Sequence, residues 1–280
     1  MSGTLYLVST PIGNLEDITL RALRILKEVD LIAAEDTRHT KKLLTHYEIS
    51  THLTSYFEHN KTVKGKYLLD LLLEGKNIAL VTDAGTPGIS DPGEMIVKDC
   101  VPAGVKVVPV PGPTALIASL SVSGLPTGNF LFLGFLPKKT KEIKKILAGL
   151  KDETSTLIFY ESPHRVKETL KIMAEIFGRR KAVIARELTK LFEEIKRGTL
   201  DELASGGLTQ KGEFCIIVEG RDKNLDQKKV LTEDELKIAV LELQKEKGLS
   251  LKDAVREIAH MNDLSTREVY QLMIKSSKKQ

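Results

Sequence analysis

Val81-Thr82-Asp83-Ala84-Gly85-Thr86-Pro87-Gly88-Ile89-Ser90-Asp91-Pro92-Gly93 is the stretch from which the fold is read. The apolar run Ile78-Ala79-Leu80-Val81 that leads into it is short enough for one buried strand and follows a Gly-Lys-Asn turn. Residues 83–93 then hold three glycines, two prolines and two aspartates. Glycine lets backbone approach a ligand closely, and proline fixes a turn and removes a donor. The helix-like segment Glu94-Met95-Ile96-Val97-Lys98 comes next. An ordinary strand-to-helix turn takes about 2–6 residues. We therefore read the longer loop as a ligand loop at the carboxyl end of a strand in an open α/β sheet, the plain alternative being a tight turn with no ligand.

The same pattern recurs on either side. Leu5-Tyr6-Leu7-Val8 predicts a buried strand ending in the loop Ser9 to Leu15, and Thr19 to Val29 has helical spacing with Leu20, Leu23, Leu26 and Ile25 turned inward. Leu31-Ile32-Ala33-Ala34 predicts the next strand, Lys61 to Leu73 a helix, Val105 to Pro109 a strand, and Pro111-Gly112-Pro113-Thr114-Ala115 the opening of another helix. Repeated strand–loop–helix units of this length predict a mostly parallel sheet with functional loops at the strand ends. Ser123 to Asn129 reads as a linker, after which strands at 130–133, 157–160, 182–185, around 192–197 and at 214–218 predict a second sheet. Beyond the polar run Arg221 to Lys229 the pattern is helical only, with Ser250 and Ser265 as N-caps and Met261-Asn262-Asp263 as a short connection. The expected organisation is an α/β domain over 1–123, a second over 129–221, and a helix-turn-helix-like domain over 230–276.

At 280 residues and 41% apolar content, the chain is long enough for two cored domains and a small third. Charge is uneven: residues 1–137 hold twelve basic against fourteen acidic side chains, residues 138–220 seventeen against thirteen. A basic middle section permits a polyanionic partner without requiring one. Cys100 and Cys215 stand alone in apolar contexts and read as small buried residues in a reducing compartment, with no metal pattern around them. No apolar run reaches the roughly 20 residues that span a bilayer, and the first residues lack a charged-then-apolar signal, so we expect a soluble, cytoplasmic protein.

Four loops carry chemistry. Thr10-Pro11-Ile12-Gly13-Asn14 lacks G-x-G-x-x-G, and G-x-x-x-x-G-K-[ST] occurs nowhere, which removes the usual support for dinucleotide binding and triphosphate hydrolysis. Glu35-Asp36-Thr37-Arg38 is either an ordinary helix start capped by Asp36 or a site in which Arg38 meets a phosphate and an acid accepts from a hydroxyl or amine. Tyr160-Glu161-Ser162-Pro163-His164-Arg165 gathers an acid, a histidine and an arginine at a strand-to-helix turn. Lys138 to Lys145 carries five lysines against one glutamate; a solvated helix face is the default for such a run, and contact with phosphate backbone is the functional alternative.

Taken together, Thr10 to Leu23 (TPIGNLEDITLRAL), Glu35 to Arg38 (EDTR), Asp83 to Pro87 (DAGTP), Ile89 to Gly93 (ISDPG), Val110 to Ala115 (VPGPTA), Phe132 to Pro137 (FLGFLP) and Tyr160 to Arg165 (YESPHR) resemble the ribosomal RNA small subunit methyltransferase I family, within the tetrapyrrole methylase superfamily. The resemblance runs from residue 4 to about 220, and the helical tail is similar to that family's C-terminal domain. It departs at Ser9, where proline is frequent, at Thr82, where serine is usual, and at Gly88, where an aliphatic residue is common.

The resemblance implies two α/β domains with S-adenosyl-L-methionine in the cleft between them, a homodimer, and 2′-O-methylation of a cytidine ribose in the decoding region of 16S rRNA within the 30S subunit. By motif position it implies cofactor contacts from Thr10, Pro11, Asp83, Ala84, Gly85, Thr86, Pro87, Gly88, Ile89, Thr114 and Ala115. Because the sulfonium already activates the methyl group, alignment and removal of one proton dominate the chemistry. The expected base is Glu161, His164 or Asp36, with Arg38 and Arg165 on flanking phosphates. Lys138, Lys139 and the 232–275 helices are expected to help dock RNA. Two readings compete: a methylase of a porphyrinoid or of a modified protein histidine, and a non-catalytic RNA-binding protein on the same fold.

Overall fold

The computed structural model describes residues 2–91, 93–222, 232–262 and 264–277. Pro92, Asp263 and most of the polar run Arg221 to Lys229 lie outside them. The chain divides into two compact units, Met1–Arg221 and Asp222–Gln280.

The first unit begins with five strands, β1 (Thr4–Val8), β2 (Leu31–Ala34), β3 (Leu53–Ser55), β4 (Ile78–Val81) and β5 (Lys106–Val110), in the order β3-β2-β4-β1-β5. All four pairings are parallel. Between and after the strands run α1 (Leu20–Glu28), α2 (Thr37–His46), α3 (Lys61–Leu73), α4 (Gly93–Cys100) and α5 (Ala115–Ser123). A strand covered on both faces has no polar side to show, and every residue of β4 is buried. Its side chains alternate: Ala79 and Val81 join Ile25 and Leu26 of α1 and Leu43 and Leu44 of α2. Ile78 and Leu80 join Leu68 and Leu72 of α3 and Ile96 of α4.

This arrangement opens a crevice. Strands β1 and β4 are hydrogen-bonded neighbours, yet the helix after β1 packs on one face of the sheet and the helix after β4 on the other. The loops leaving their adjacent carboxyl ends therefore diverge, which is where open α/β sheets bind ligands.

The second sheet is built from β6 (Phe130–Phe135), β7 (Thr156–Glu161), β8 (Lys181–Arg186), β9 (Glu194–Thr199) and β10 (Phe214–Val218), in the order β6-β7-β10-β8-β9. The parallel pattern stops here: only β6 and β7 run parallel, and the other three pairs are antiparallel. The connections explain the change. A crossover helix, α6 (Thr140–Gly149), joins β6 to β7, whereas a short loop joins β8 to β9. One face carries α6, α7 (Val166–Phe177) and α8 (Leu200–Ser205) over a core of Leu147, Phe159, Leu170, Met173, Leu200 and Ile216. On the other face Leu120 of α5 packs against Ile158, Val183, Cys215 and Ile217, so the last helix of the first sheet docks on the second. Arg197 of β9 adds hydrogen bonds to the Ser123 and Val122 carbonyls at the end of α5.

The second unit is a separate helical core. Its helices are α9 (Glu233–Lys247), α10 (Leu251–Met261) and α11 (Thr266–Ser277). Thr232 and Glu235 form a reciprocal capping box on α9, and the Ser250 hydroxyl caps α10 as the sequence predicts. Leu236, Val240, Val255, Ile258 and Val269 fill the interior.

Candidate active site

The crevice is a cavity of about 420 Å³, lined from both sheets of the first unit. The first sheet supplies Ile12, Glu35, residues 82–86, residues 89–91, Thr114 and Ala115. The second sheet supplies Phe135, residues 160–163, Ala185, Leu188 and residues 213–215.

Short hydrogen bonds between strand ends hold the floor. Thr10 and Gly85 exchange both backbone hydrogen bonds, at 2.9 and 3.0 Å, and the Thr10 hydroxyl donates to the Thr82 carbonyl at 3.0 Å. Ser9 and Thr86 share a hydroxyl–hydroxyl bond of 2.9 Å. The Thr82 hydroxyl donates to the Glu35 carboxylate at 2.7 Å, and the Asp36 backbone N–H donates to Asp83 Oδ1 at 3.0 Å. Gly85 stands at φ +86°, where a side chain is strained. Asp91 folds the rest of the loop by accepting from the N–H of Gly88 through both carboxylate oxygens at 2.9 Å, and from Gly93 at 2.6 Å. The opposite wall comes close at a bulge: a Cβ on Gly134, itself at φ +61°, would lie 3.0 Å from Ser90 Oγ.

Of the residues expected to hold the cofactor, Asp83, Ala84, Gly85, Thr86, Ile89, Thr114 and Ala115 line the cavity. Thr10 is buried behind it, bonded to Gly85, with Pro11 buried beside it. Pro87 is also buried, and Gly88 serves the Asp91 turn. The expected bases separate. Glu161 is 2% exposed and lines the cavity, accepting from Thr169 Oγ1 at 2.7 Å and the Ser162 N–H at 2.8 Å, with Arg165 at 3.4 Å. His164 is exposed on the turn and is not among the lining residues.

Asp36 is the N-cap of α2; its carboxylate accepts from the Arg38 N–H at 2.8 Å and is clasped by the Arg38 guanidinium at 3.2 and 2.8 Å. The guanidinium hydrogen bonds hold that carboxyl down at about 2. Arg165 reaches back to the Leu136 and Pro137 carbonyls at 3.2 and 2.8 Å, tying the β6–α6 loop to Glu161. Lys138 and Lys139 are exposed at the start of α6, where Lys139 pairs with Glu142 at 3.2 Å.

The apolar wall was not predicted. Phe135, 59% exposed, lines the cavity beside Tyr160, their ring centroids 5.5 Å apart. The Tyr160 hydroxyl accepts from the Leu116 N–H at 3.1 Å, and burial pushes its pKa up to about 12. Among the described residues, the lining counts five carboxylates (Glu35, Asp83, Asp91, Glu161, Glu213) and no Lys, Arg or His. Such a cavity favours a cationic ligand with apolar parts over a phosphate.

Two stacked halves, a parallel sheet presenting its loops to a mixed sheet across one crevice, define the class: the Tetrapyrrole (Corrin/Porphyrin) Methylases family model matches residues 4–204. Uroporphyrin-III-C-methyltransferase from Thermus thermophilus shares the fold, with a TM-score of 0.56 at 21% identity, over 78% of this chain and 94% of that one. Sequence narrows the class. Ribosomal RNA small subunit methyltransferase I of Halalkalibacterium halodurans is 50% identical over 272 residues, 96% of this chain and 94% of the relative. The protein of the same name from Bacillus subtilis is 49% identical over 271 residues, 96% and 93% of the two chains. The chain belongs to the ribosomal RNA small subunit methyltransferase I family. Among the described residues, no helix is long and apolar enough to cross a membrane.

Proposed function

We propose that this protein uses S-adenosylmethionine to methylate the ribose 2′-hydroxyl of a cytidine in the decoding region of 16S rRNA, acting on the 30S subunit in the cytoplasm as a homodimer. The observation that carries the reading is the cavity itself: acidic, half apolar and built from divergent strand-end loops. Its donor set fits the cofactor. Carboxylates at Glu35, Asp83 and Asp91 suit an ammonium and ribose hydroxyls, while Ile12, Ile89 and Leu188 suit an apolar ring. When bound, S-adenosylmethionine supplies a methyl group already activated by its sulfonium.

The residues assigned to hold it are Asp83, Ala84, Gly85, Thr86, Ile89, Thr114 and Ala115, with Thr10, Pro11, Pro87 and Gly88 shaping those loops from behind. The remaining work is alignment of the acceptor oxygen and removal of its proton. We assign the proton to Glu161. Of the three acids and bases expected from the sequence it is the one in the cavity lining, whereas a carboxyl held at about 2, as in Asp36, is a poor base near neutral pH. Arg38, Lys138 and Lys139 are assigned to RNA phosphate, with assistance from the C-terminal helices; Arg165 positions Glu161 and the 136–137 backbone.

The test is primer extension at limiting nucleotide on 16S rRNA from cells with and without the gene. A 2′-O-methyl stop in the decoding region should vanish in the deletion and return when purified protein and S-adenosylmethionine are added to 30S subunits. Identical stops in both strains would remove the rRNA reading.

A further inference from the structure

We propose that the exposed face of α2 is the surface that holds the RNA backbone while the target nucleoside enters the acidic cavity, an inference that rests on the rRNA reading above. Arg38, Lys41, Lys42, Thr45 and His46 fall at i, i+3, i+4, i+7 and i+8, one stripe of a helix. Together they line a single shallow depression. The opposite stripe, Thr40, Leu43 and Leu44, is buried in the core. Residues 37–47 contain three formal cations, two histidines and no acid, inside a 1–137 segment whose acids outnumber its bases.

Most of that charge is uncompensated. Among the described residues, neither Lys41 nor Lys42 has an acidic group within ion-pair distance, and Arg38 holds only Asp36, with its side chain 89% exposed. In the lysine-rich segment at α6, Lys139 is paired with Glu142 and Lys144 with Glu175, while Lys138, Lys141 and Lys145 have no ion pair among the described residues. Free lysines therefore occur on both helices, and what singles out α2 is its start beside the cavity lining.

Position completes the inference. Among the described residues, the cavity lining holds five carboxylates and no cation, so it repels phosphate and the backbone must be gripped outside it. Helix α2 starts one residue beyond Asp36, whose N–H bonds Asp83 of the lining and which directly follows Glu35, also in the lining. A ten-residue helix is about 15 Å long, enough for its stripe to meet more than one phosphate as a strand leaves the cavity mouth. Phosphate contacts of this kind fix register without reading sequence.

The test is Lys41→Ala/Lys42→Ala, and separately Lys41→Glu/Lys42→Glu, assayed for 30S-subunit affinity across a salt series, S-adenosylmethionine affinity, and KM and kcat for methyl transfer. Losing two phosphate contacts should flatten the slope of log K against log salt by about 1.4 and weaken 30S binding on the order of tenfold, more for the glutamates. KM for 30S should rise while S-adenosylmethionine affinity stays at the wild-type value, and Lys41→Arg/Lys42→Arg should restore binding. Wild-type slope and affinity in the double alanine and double glutamate variants would overturn the inference. If wild-type protein itself fails to methylate 30S subunits, the rRNA reading falls instead, so the two failures are distinct.

Discussion

The hydroxyl of Thr82 donates to the carboxylate of Glu35 at 2.7 Å, joining the ends of two neighbouring strands inside the cavity wall. The carbonyl of the same threonine accepts from the Thr10 hydroxyl at the end of β1. One residue therefore ties three strand ends, and its hydroxyl aims one of the five carboxylates. Thr82→Val keeps the shape and removes the donor. A hydrogen bond to a charged group contributes about 1.5–3 kcal/mol, so calorimetric titration should show S-adenosylmethionine binding weakened on the order of tenfold, with recovery in Thr82→Ser. Unchanged binding in the valine variant would mean that Glu35 needs no aiming.

The backbone beneath that wall makes a different demand. Gly85 sits at φ +86° while both its backbone groups pair with Thr10, so it cannot relax without breaking that bridge. A Cβ there would meet only ordinary contacts, the nearest 3.6 Å away on Ile12. Gly85→Ala should therefore cost the conformational strain alone, about 1–2 kcal/mol. At Gly220 the problem is space, since a Cβ would lie 2.0 Å from the Thr154 carbonyl oxygen. Thermal unfolding should show a drop of a few degrees for Gly85→Ala and a larger one for Gly220→Ala. The reverse order would show that the Gly85 loop, not the Gly220 contact, is the tighter constraint.

These glycine and proline loops explain why so much of the parallel sheet could be read from sequence. A strand followed by a loop rich in glycine and proline leaves a local signature, and β1, β4 and β5 carry it, while β2 shows as an apolar run alone. Helix α2 was legible only at its start, as a cap at Asp36, because Leu43 and Leu44 alone are strong hydrophobes on its buried face, too few to set a period. β3 has three residues, none fully buried. At the site, the loops of the first sheet were legible, but the facing wall was not. Phe135, Leu188 and Cys215 reach the cavity only because α5 docks the second sheet against the first; nothing local marks Leu188 and Cys215, and the Phe132 to Pro137 motif does not say which way Phe135 faces. The Tyr160 to Arg165 cluster was legible as a group but not in its parts. Strand β7 ends at Glu161 and keeps it inside, while the turn carries His164 out to solvent.

Both thiols answer to burial. Burial pushes Cys100 up to about 11 and Cys215 up to about 12. The thiolate is the reactive species, so a thiol reagent at pH 8 should label neither residue in the native protein and both after unfolding. The same shifts make a pH prediction. The unfolded chain releases these protons near pH 8.5–9, whereas the folded one holds them to about 11 and 12. The stability they contribute is therefore fully present below about pH 8.5 and is lost progressively as pH rises toward 12. Denaturant midpoints falling across that range in the wild type, and falling less in Cys100→Ala/Cys215→Ala, would bear this out. Labelling of the native protein at pH 8 would contradict it.

The last prediction separates structure from chemistry at Glu161. Its two oxygens already accept from Ser162 and Thr169, and Arg165 stands 3.4 Å away, so deletion and neutralisation should differ. Glu161→Ala leaves the buried Thr169 hydroxyl without its acceptor, while Arg165 keeps the Leu136 and Pro137 carbonyls, and an unsatisfied buried polar group costs about 1–3 kcal/mol. That variant should lose stability and activity together. Glu161→Gln keeps the volume and can still accept from Thr169, but its amide is a far weaker base. If Glu161 takes the ribose proton, the glutamine variant should bind 30S subunits and S-adenosylmethionine as the wild type does, yet transfer methyl on the order of 100-fold more slowly, the lower end of what general-base catalysis contributes. His164→Ala and Asp36→Asn should stay within a few-fold of wild type in single-turnover assays, because one is exposed outside the lining and the other remains a competent helix cap. A fully active Glu161→Gln would remove the base assignment. Its buried carboxylate would then be the anchor that lets Arg165 hold the Leu136–Pro137 backbone against the cavity wall.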